Sequence, residues 1–111
     1  MANTFKNASL ANVNHAAMAT LYTCPAGTTA IILGLAITNK TDAAVTATVD
    51  FVDTSDSSAV RKLLNEVSIP ANTTLEVFAG QKYVLEATDI LKIQAGTASS
   101  LDAVLGLMQI T

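Results

Sequence analysis

Charged residues are scarce in this sequence. Asp, Glu, Lys and Arg make up 14% of its 111 residues, whereas half of the residues are hydrophobic. A typical soluble domain is about 25% charged. The net charge is −3, and the six basic residues are scattered apart from the neighbours Arg61 and Lys62. Proteins that bind nucleic acid usually carry a basic stripe along the phosphate backbone, so we expect no nucleic-acid partner.

Cysteine and long apolar runs are also missing. Cys24 is the single cysteine, so no internal disulfide can form, and the fold has to be stable through its core. A domain of this length can bury enough surface to do so. The longest apolar run, residues 30–37, is far shorter than the roughly 20 residues that cross a bilayer. The first residues lack the apolar segment of a secretion signal. We therefore expect no membrane partner and no export by this route.

Few residues are suited to catalysis. His15 is the only histidine, and a Cys–His dyad would need a rigid scaffold that holds it against Cys24. We expect Cys24 to be a small buried residue instead. Four carboxylates of the second half are interpreted as outward, solubilising charges rather than an acid–base pair: Glu66, Glu76, Glu86 and Asp89. The sequence predicts a protein that is not an enzyme and has no catalytic residue and no cofactor.

Residues 50–58 are the best candidate for a metal site. They contain three aspartates and several hydroxyl groups, which are the hard oxygen ligands that calcium accepts. The segment lacks the glycine and the distal glutamate of a calcium-binding loop. A solvated hairpin is therefore the favoured interpretation, a bound cation is the alternative, and we predict no metal site.

What the sequence does contain is alternation with a period of two. Apolar residues alternate with Thr and Asp over residues 45–51, which is typical of a half-buried strand. The further candidate strands are residues 20–23, 30–37, 60–69, 75–78, 82–85, 90–94 and 101–107. Turn-forming residues separate them, as in Pro25-Ala-Gly27 and Pro70-Ala-Asn72. About eight short strands predict an all-β protein with a single antiparallel β-sandwich, Ig-like or jelly-roll-like.

Two segments leave alternatives open. Residues 58–67 contain good helix formers at helical spacing, but Pro70 follows closely and strands flank them, so we favour strand over helix. Residues 1–18 are rich in Asn and Ala with isolated apolar residues. We expect an extended N-terminal arm there that docks on its own sheet or on a neighbouring molecule, and we assign the sandwich domain to residues 19–111.

Two predicted strands are apolar on both faces. In residues 30–37, the set Ile31, Leu33, Leu35 and Ile37 alternates with Ala30, Ile32, Gly34 and Ala36. In the last strand, Leu101, Ala103, Leu105 and Leu107 alternate with Asp102, Val104, Gly106, Met108 and Ile110. The second face of a free sandwich should be polar, and contiguous exposed apolar patches mark interaction surfaces. We predict an interface that includes Phe5, Leu10, Ile32, Val104, Met108 and Ile110. Coverage by the same chain is the alternative.

Several segments together resemble a known family. They are Phe5-Lys-Asn-Ala8, the corner from Tyr22 to Ala30, the strand from Gly34 to Asn39, Ile69-Pro-Ala71, Val84-Leu-Glu86, Asp89 and the ending from Ala98 to Leu105. The chain resembles small all-β virion structural proteins of tailed bacteriophages, notably marine and cyanobacterial phages. The resemblance covers nearly the whole chain and consists of strands and corners.

The resemblance implies a non-enzymatic protein that is made in the cytoplasm of the host bacterium and located in the virion. A capsid decoration (cement) protein is the first expectation, because such proteins bind the head surface and stabilise the capsid. Its partners would be the major capsid protein or other virion proteins, and further copies of itself in a homo-oligomer such as a trimer. The alternatives are a tail, neck or fibre component of the virion, or a soluble β-sandwich binding module.

Overall fold

A computed structural model describes residues 3–78 and 82–111. This part of the chain forms nine strands: β1 (Asn3–Leu10), β2 (Ala19–Thr23), β3 (Thr29–Asn39), β4 (Val45–Asp53), β5 (Ala59–Ile69), β6 (Thr74–Glu76), β7 (Tyr83–Leu85), β8 (Ile90–Ala95) and β9 (Leu101–Ile110). A 3₁₀ turn, Thr54–Asp56, lies between β4 and β5. All strand pairs are antiparallel, so the predicted all-β antiparallel sandwich is confirmed. No helix in the described residues is long and apolar enough to span a membrane.

The strands form two sheets. Sheet 1 has the order β1-β9-β3, and β6 and β7 both pair with the remaining edge of β3. Sheet 2 has the order β2-β8-β4-β5. Each sheet thus has four strand positions, with β6 and β7 sharing one. This eight-position, two-sheet arrangement corresponds to a jelly roll rather than to the seven strands of a constant-type Ig domain.

The two ambiguous segments are both strands. Residues 58–67 fall mainly in β5, which pairs with β4 up to Ile69 before Pro70, so the preference for strand is confirmed. In the predicted arm, residues 3–10 are the edge strand of sheet 1 and pair without interruption with β9. Of the two docking alternatives, the structure has the arm on its own sheet. Val13 then anchors the connection to β2, because its side chain is buried and its N–H donates to the Leu101 carbonyl at 2.8 Å.

A β-bulge in β3 decides which apolar residues enter the core. Ile32 lies opposite Leu107 and Gly34 lies opposite Gly106, so Leu33 is an extra residue on the β3 side. A one-residue slip moves every later side chain to the other face. Ile32 is therefore buried at 0% exposure, together with Leu35 and Ile37 in the second half of the strand. The prediction that Ile32 faces outward was wrong, because simple alternation does not hold through the bulge.

Two buried polar side chains hold the loops at the ends of the sandwich. Asn39 Nδ2 donates to the carbonyl of Ala43 at 2.8 Å and to that of Ile69 at 3.0 Å, and Asn39 Oδ1 accepts from the N–H and the hydroxyl of Thr41. Asp89 accepts from the N–H groups of Thr54 and Glu86, both at 3.0 Å. Asp89 is 1% exposed, so its interpretation as an outward charge was wrong. A buried carboxylate needs such donors, and the two loop N–H groups supply them.

Asn39→Ala should strongly destabilise the fold. The substitution removes several buried hydrogen bonds and leaves carbonyl groups without their donor, so we expect the free energy of unfolding to fall by about 2–4 kcal/mol. Urea denaturation measures the change, with Asn65→Ala on the exposed side of β5 as the control, for which we expect a loss below about 0.5 kcal/mol. Equal, small losses in both variants would contradict a structural role for the Asn39 amide.

Candidate interaction surface

The outward side of sheet 1, here called the outer face, carries a continuous row of apolar side chains. Met108 lies opposite Phe5 on one side and opposite Ile31 on the other, and Ile31 in turn lies opposite Val84. Opposite residues of neighbouring antiparallel strands share a face of the sheet. Phe5, Met108, Ile31 and Val84 therefore form one row across β1, β9, β3 and β7, which we call the apolar row.

Among the described residues, most of the exposed large apolar side chains belong to this face. Phe5 is 74% exposed, Val84 and Val104 are each 54% exposed, and Leu33 at the bulge is 43% exposed. In the described residues only one other large apolar side chain, Val60 on β5, is similarly exposed. Exposed apolar residues scattered singly are normal, but their concentration on one face marks an interaction surface.

Two glycines form a shallow trough beside the apolar row. Gly34 and Gly106 lie opposite each other on β3 and β9. A Cβ atom added to either would meet no atom within 4 Å, and neither glycine has a positive φ. Their small size is therefore not required by the packing or the backbone of this chain. Glycine weakens a strand interior and often marks a site that another backbone or ligand approaches closely.

Two charged groups of the outer face, Glu76 and Asp102, lie at one end of it. Glu76 is opposite Ala36, and Asp102 is opposite Thr38. Asp102 accepts a hydrogen bond from the Asn12 N–H at 2.9 Å, and the Lys40 ammonium lies 3.0 Å from the same carboxylate. The hydrogen bond from Asn12, together with Lys40, lowers the pKa of Asp102 below its ordinary value in spite of partial burial. These contacts hold the chain where it leaves β1.

The outward side of sheet 2 is polar by comparison. Asp50 lies opposite Lys62 on one neighbouring strand and opposite Lys92 on the other, and the Lys62 ammonium is 2.9 Å from its buried carboxylate. A depression of about 290 Å³ lies on this side, and its lining includes His15, Thr48, Lys62, Glu66 and Gln94. The two sheets therefore present opposite chemistry to their surroundings.

The metal and catalytic candidates do not converge. Within residues 3–78 and 82–111, no three His, Cys, Asp or Glu side chains are placed to share a metal ion. In the segment 50–58, Asp50 pairs with Lys62, and Asp56 lies 3.9 Å from Arg61.

Cys24 is fully buried, and its thiol donates to the Thr28 carbonyl at 3.2 Å. Burial raises the pKa of the Cys24 thiol, which keeps it protonated at neutral pH. His15, by contrast, is exposed beside the depression on sheet 2.

The structure brings four of the six predicted interface residues onto the outer face: Phe5, Val104, Met108 and Ile110. Ile32 lies in the core, and Leu10 is partly buried against that core. Ile31, Leu33 and Val84 also lie on this face, although the sequence pattern did not predict them there. The bulge leaves no mark in the apolar pattern, and the position of Val84 follows only from the pairing of β7 with β3.

Comparison with known proteins gives a fold but no family. No family model matches the chain, and no curated protein has a significant sequence match to it. A protein of Bacillus endospore appendages, described as disulfide-linked pili, has a similar structure with a TM-score of 0.59 and 11% identity over 98% of this chain and 88% of that chain. The infectious bursal disease virus VP2 subviral particle gives a TM-score of 0.54 at 9% identity, over 96% of this chain and 32% of that one. The T13 particle of the same virus gives 0.50 at 10% identity, over 96% and 30%.

These likenesses are in fold alone, because all three identities are far below the level at which function follows. The chain covers nearly the whole of the pilus protein but spans only about a third of the length of the viral particle chains. The fold is thus one that proteins of repeating assemblies use.

The contribution of Asp102 to stability should depend on pH. Its folded pKa lies below the ordinary value of 3.8, so the carboxylate stabilises the folded chain above that pH, and this stabilisation is lost as the pH falls through the folded value. Asp102→Asn should lower the free energy of unfolding at pH 7 by a small amount, because the side chain is 38% exposed. The difference from wild type should shrink as the pH falls below 3.8 and through the lower folded pKa. Urea denaturation between these pH values measures it, and a difference that does not change with pH would contradict the electrostatic explanation.

Proposed function

We propose that this chain is a virion structural protein, and specifically a capsid decoration protein that binds the head surface of a tailed phage and stabilises the capsid. The observation that carries the proposal is the outer face of sheet 1. An apolar row next to a glycine trough, without a charge in its centre, is suited to being covered by other polypeptides of an assembly.

Three further features support an assembly role. The fold is similar to that of chains in viral particles, and those proteins are built into repeating structures. The described residues contain no converging set of nucleophile, base or metal ligands. The resemblance of the sequence to small phage virion proteins points in the same direction. Many copies of a weak contact, repeated by the symmetry of a particle, give avidity that no single interface has to supply.

A tail, neck or fibre component is the second candidate. It is favoured by the similarity to the endospore appendage protein, which extends over nearly the full length of both chains. Those appendages are disulfide-linked, whereas the only cysteine of this chain is buried in the core and forms no covalent link between subunits while the fold is intact. A filament built from this chain would need non-covalent contacts.

Quantitative mass spectrometry of purified virions, with heads and tails separated, tests the proposal. A decoration protein should be present on the order of hundreds of copies on heads, including heads without tails. Enrichment on tails at tens of copies would support the second candidate instead. Absence from both fractions would overturn the assignment to the virion.

Met108→Lys should impair binding to particles more than it impairs folding. The side chain is partly exposed in the middle of the apolar row, so a charge there is solvated in the free chain but buried without a partner in the assembly. We expect at least a tenfold weaker retention on purified heads and a melting temperature within a few degrees of wild type. Val60→Lys on β5 is the control, because Val60 is also apolar and is exposed but lies on the other sheet. Equal losses of folding and binding in the Met108 variant would place this side chain in the core.

A further inference from the structure

The outer face is large enough to form a stable interface by itself. Sheet 1 has four strand positions, which at about 4.8 Å each give a width of roughly 19 Å, and β9 with its ten residues is about 34 Å long. The face therefore offers roughly 650 Å² for each copy. Two such faces in contact would bury about 1,300 Å² in total, which lies within the range of specific protein–protein interfaces.

The chemistry of the face suits a second copy of the same chain. A two-fold interface brings the same surface patch together from both subunits, so a strongly charged patch would repel itself. The apolar row itself contains no charged residue, and the acidic side chains of Glu76 and Asp102 lie at one end of the face. A two-fold axis that lies in the plane of the interface and runs across the strands turns the second copy end for end, so the two acidic ends lie apart.

The outer face also contains an exposed aromatic side chain and an open trough beside two glycines. Phe5 on β1 is the most exposed of its large apolar side chains, and the trough at Gly34 and Gly106 is open to the outside. Within one molecule, the ring does not fill this space, since an added Cβ at either glycine meets nothing. Across a two-fold axis in the plane of the interface, the contact is reciprocal: if Phe5 of one copy reaches the trough of the second, the second Phe5 reaches the trough of the first.

We propose that two copies of this chain pair face to face through the outer face of sheet 1, with Phe5 of each copy seated in the trough formed by Gly34 and Gly106 of the other. Aromatic side chains that fill a central pocket are the residues that contribute most to interface stability. The inference deepens the proposed function, and it rests on that function for its biological setting. It names the surface of self-association, which the particle experiment does not address.

Sedimentation equilibrium of the purified full chain tests the pairing between about 5 μM and 1 mM. Wild type should sediment with twice the mass of one chain at the upper concentrations. Phe5→Lys should weaken the association at least tenfold, because the charge would be buried in an apolar trough. Val60→Lys is the control with the same change of charge on an exposed apolar residue outside the face, and it should associate like wild type.

Gly34→Val separates association from folding. The added side chain points into open space, and valine suits a strand better than glycine does, so the melting temperature should stay the same or rise. The filled trough should nevertheless weaken association at least tenfold. The proposal is overturned if wild type is monomeric at about 1 mM, if Phe5→Lys and Gly34→Val associate like wild type, or if Val60→Lys weakens association as much as Phe5→Lys does.

The outcome is distinct from that of the particle experiment. A protein that pairs as proposed but is absent from heads would contradict the decoration function and leave the pairing intact. A protein that decorates heads but remains monomeric, or pairs regardless of Phe5 and Gly34, would leave the function intact and remove this inference.

Discussion

The pairing of β3 with β9 is the interaction on which the rest of the structure depends. This ladder runs from Thr29 opposite Ile110 to Asn39 opposite Leu101 and lies at the centre of sheet 1. Its inward side chains, such as Leu35 and Leu105, are fully buried in the core. The same ladder, with its one shift at Leu33, places Ile31 against Met108 and Gly34 against Gly106 on the outside. The pairing of these two strands therefore determines both the core and the composition of the outer face, so a change that shifts one shifts the other.

The fold class could be predicted from the sequence because it follows from local patterns. Alternation and turn-forming residues predicted most of the strands, and the proline after β5 correctly favoured strand over helix there. On β9 alternation holds throughout, and the predicted outward residues Val104 and Met108 do lie on the outer face. On β3 it fails, because the bulge at Leu33 exchanges the two faces of the first half of the strand. A bulge changes the register without changing which residues are apolar, so the sequence pattern contains no sign of it.

Which side chains lie on the surface could not be predicted from local sequence patterns, because it depends on contacts made in the folded chain. Val84 joins the apolar row only because β7 pairs with the first half of β3, while β6 pairs with the second half. Asp89 was interpreted as an outward, solubilising charge, but two loop N–H groups bind its carboxylate inside the molecule. The contacts of Val84 with Ile31 and of Asp89 with Thr54 join segments that are distant in sequence. Local patterns identify strands and turns, whereas the neighbours of a side chain depend on the order of strands in the sheet.

Pairing through the outer face of sheet 1 leaves the strand edges of the sandwich available for other contacts. On the proposed function, a pair formed through the outer face of sheet 1 would contact a head through its strand edges. Three of these edges are interrupted: β5 has register shifts and the basic pair Arg61 and Lys62, β2 has a shift of its own, and β6 and β7 are three residues each. Such features block strand addition. β1 alone pairs with its neighbour over eight residues without a shift. On the proposed function, contacts through this edge would bury little apolar surface, so each would be weak and the avidity of attachment would come from their repetition.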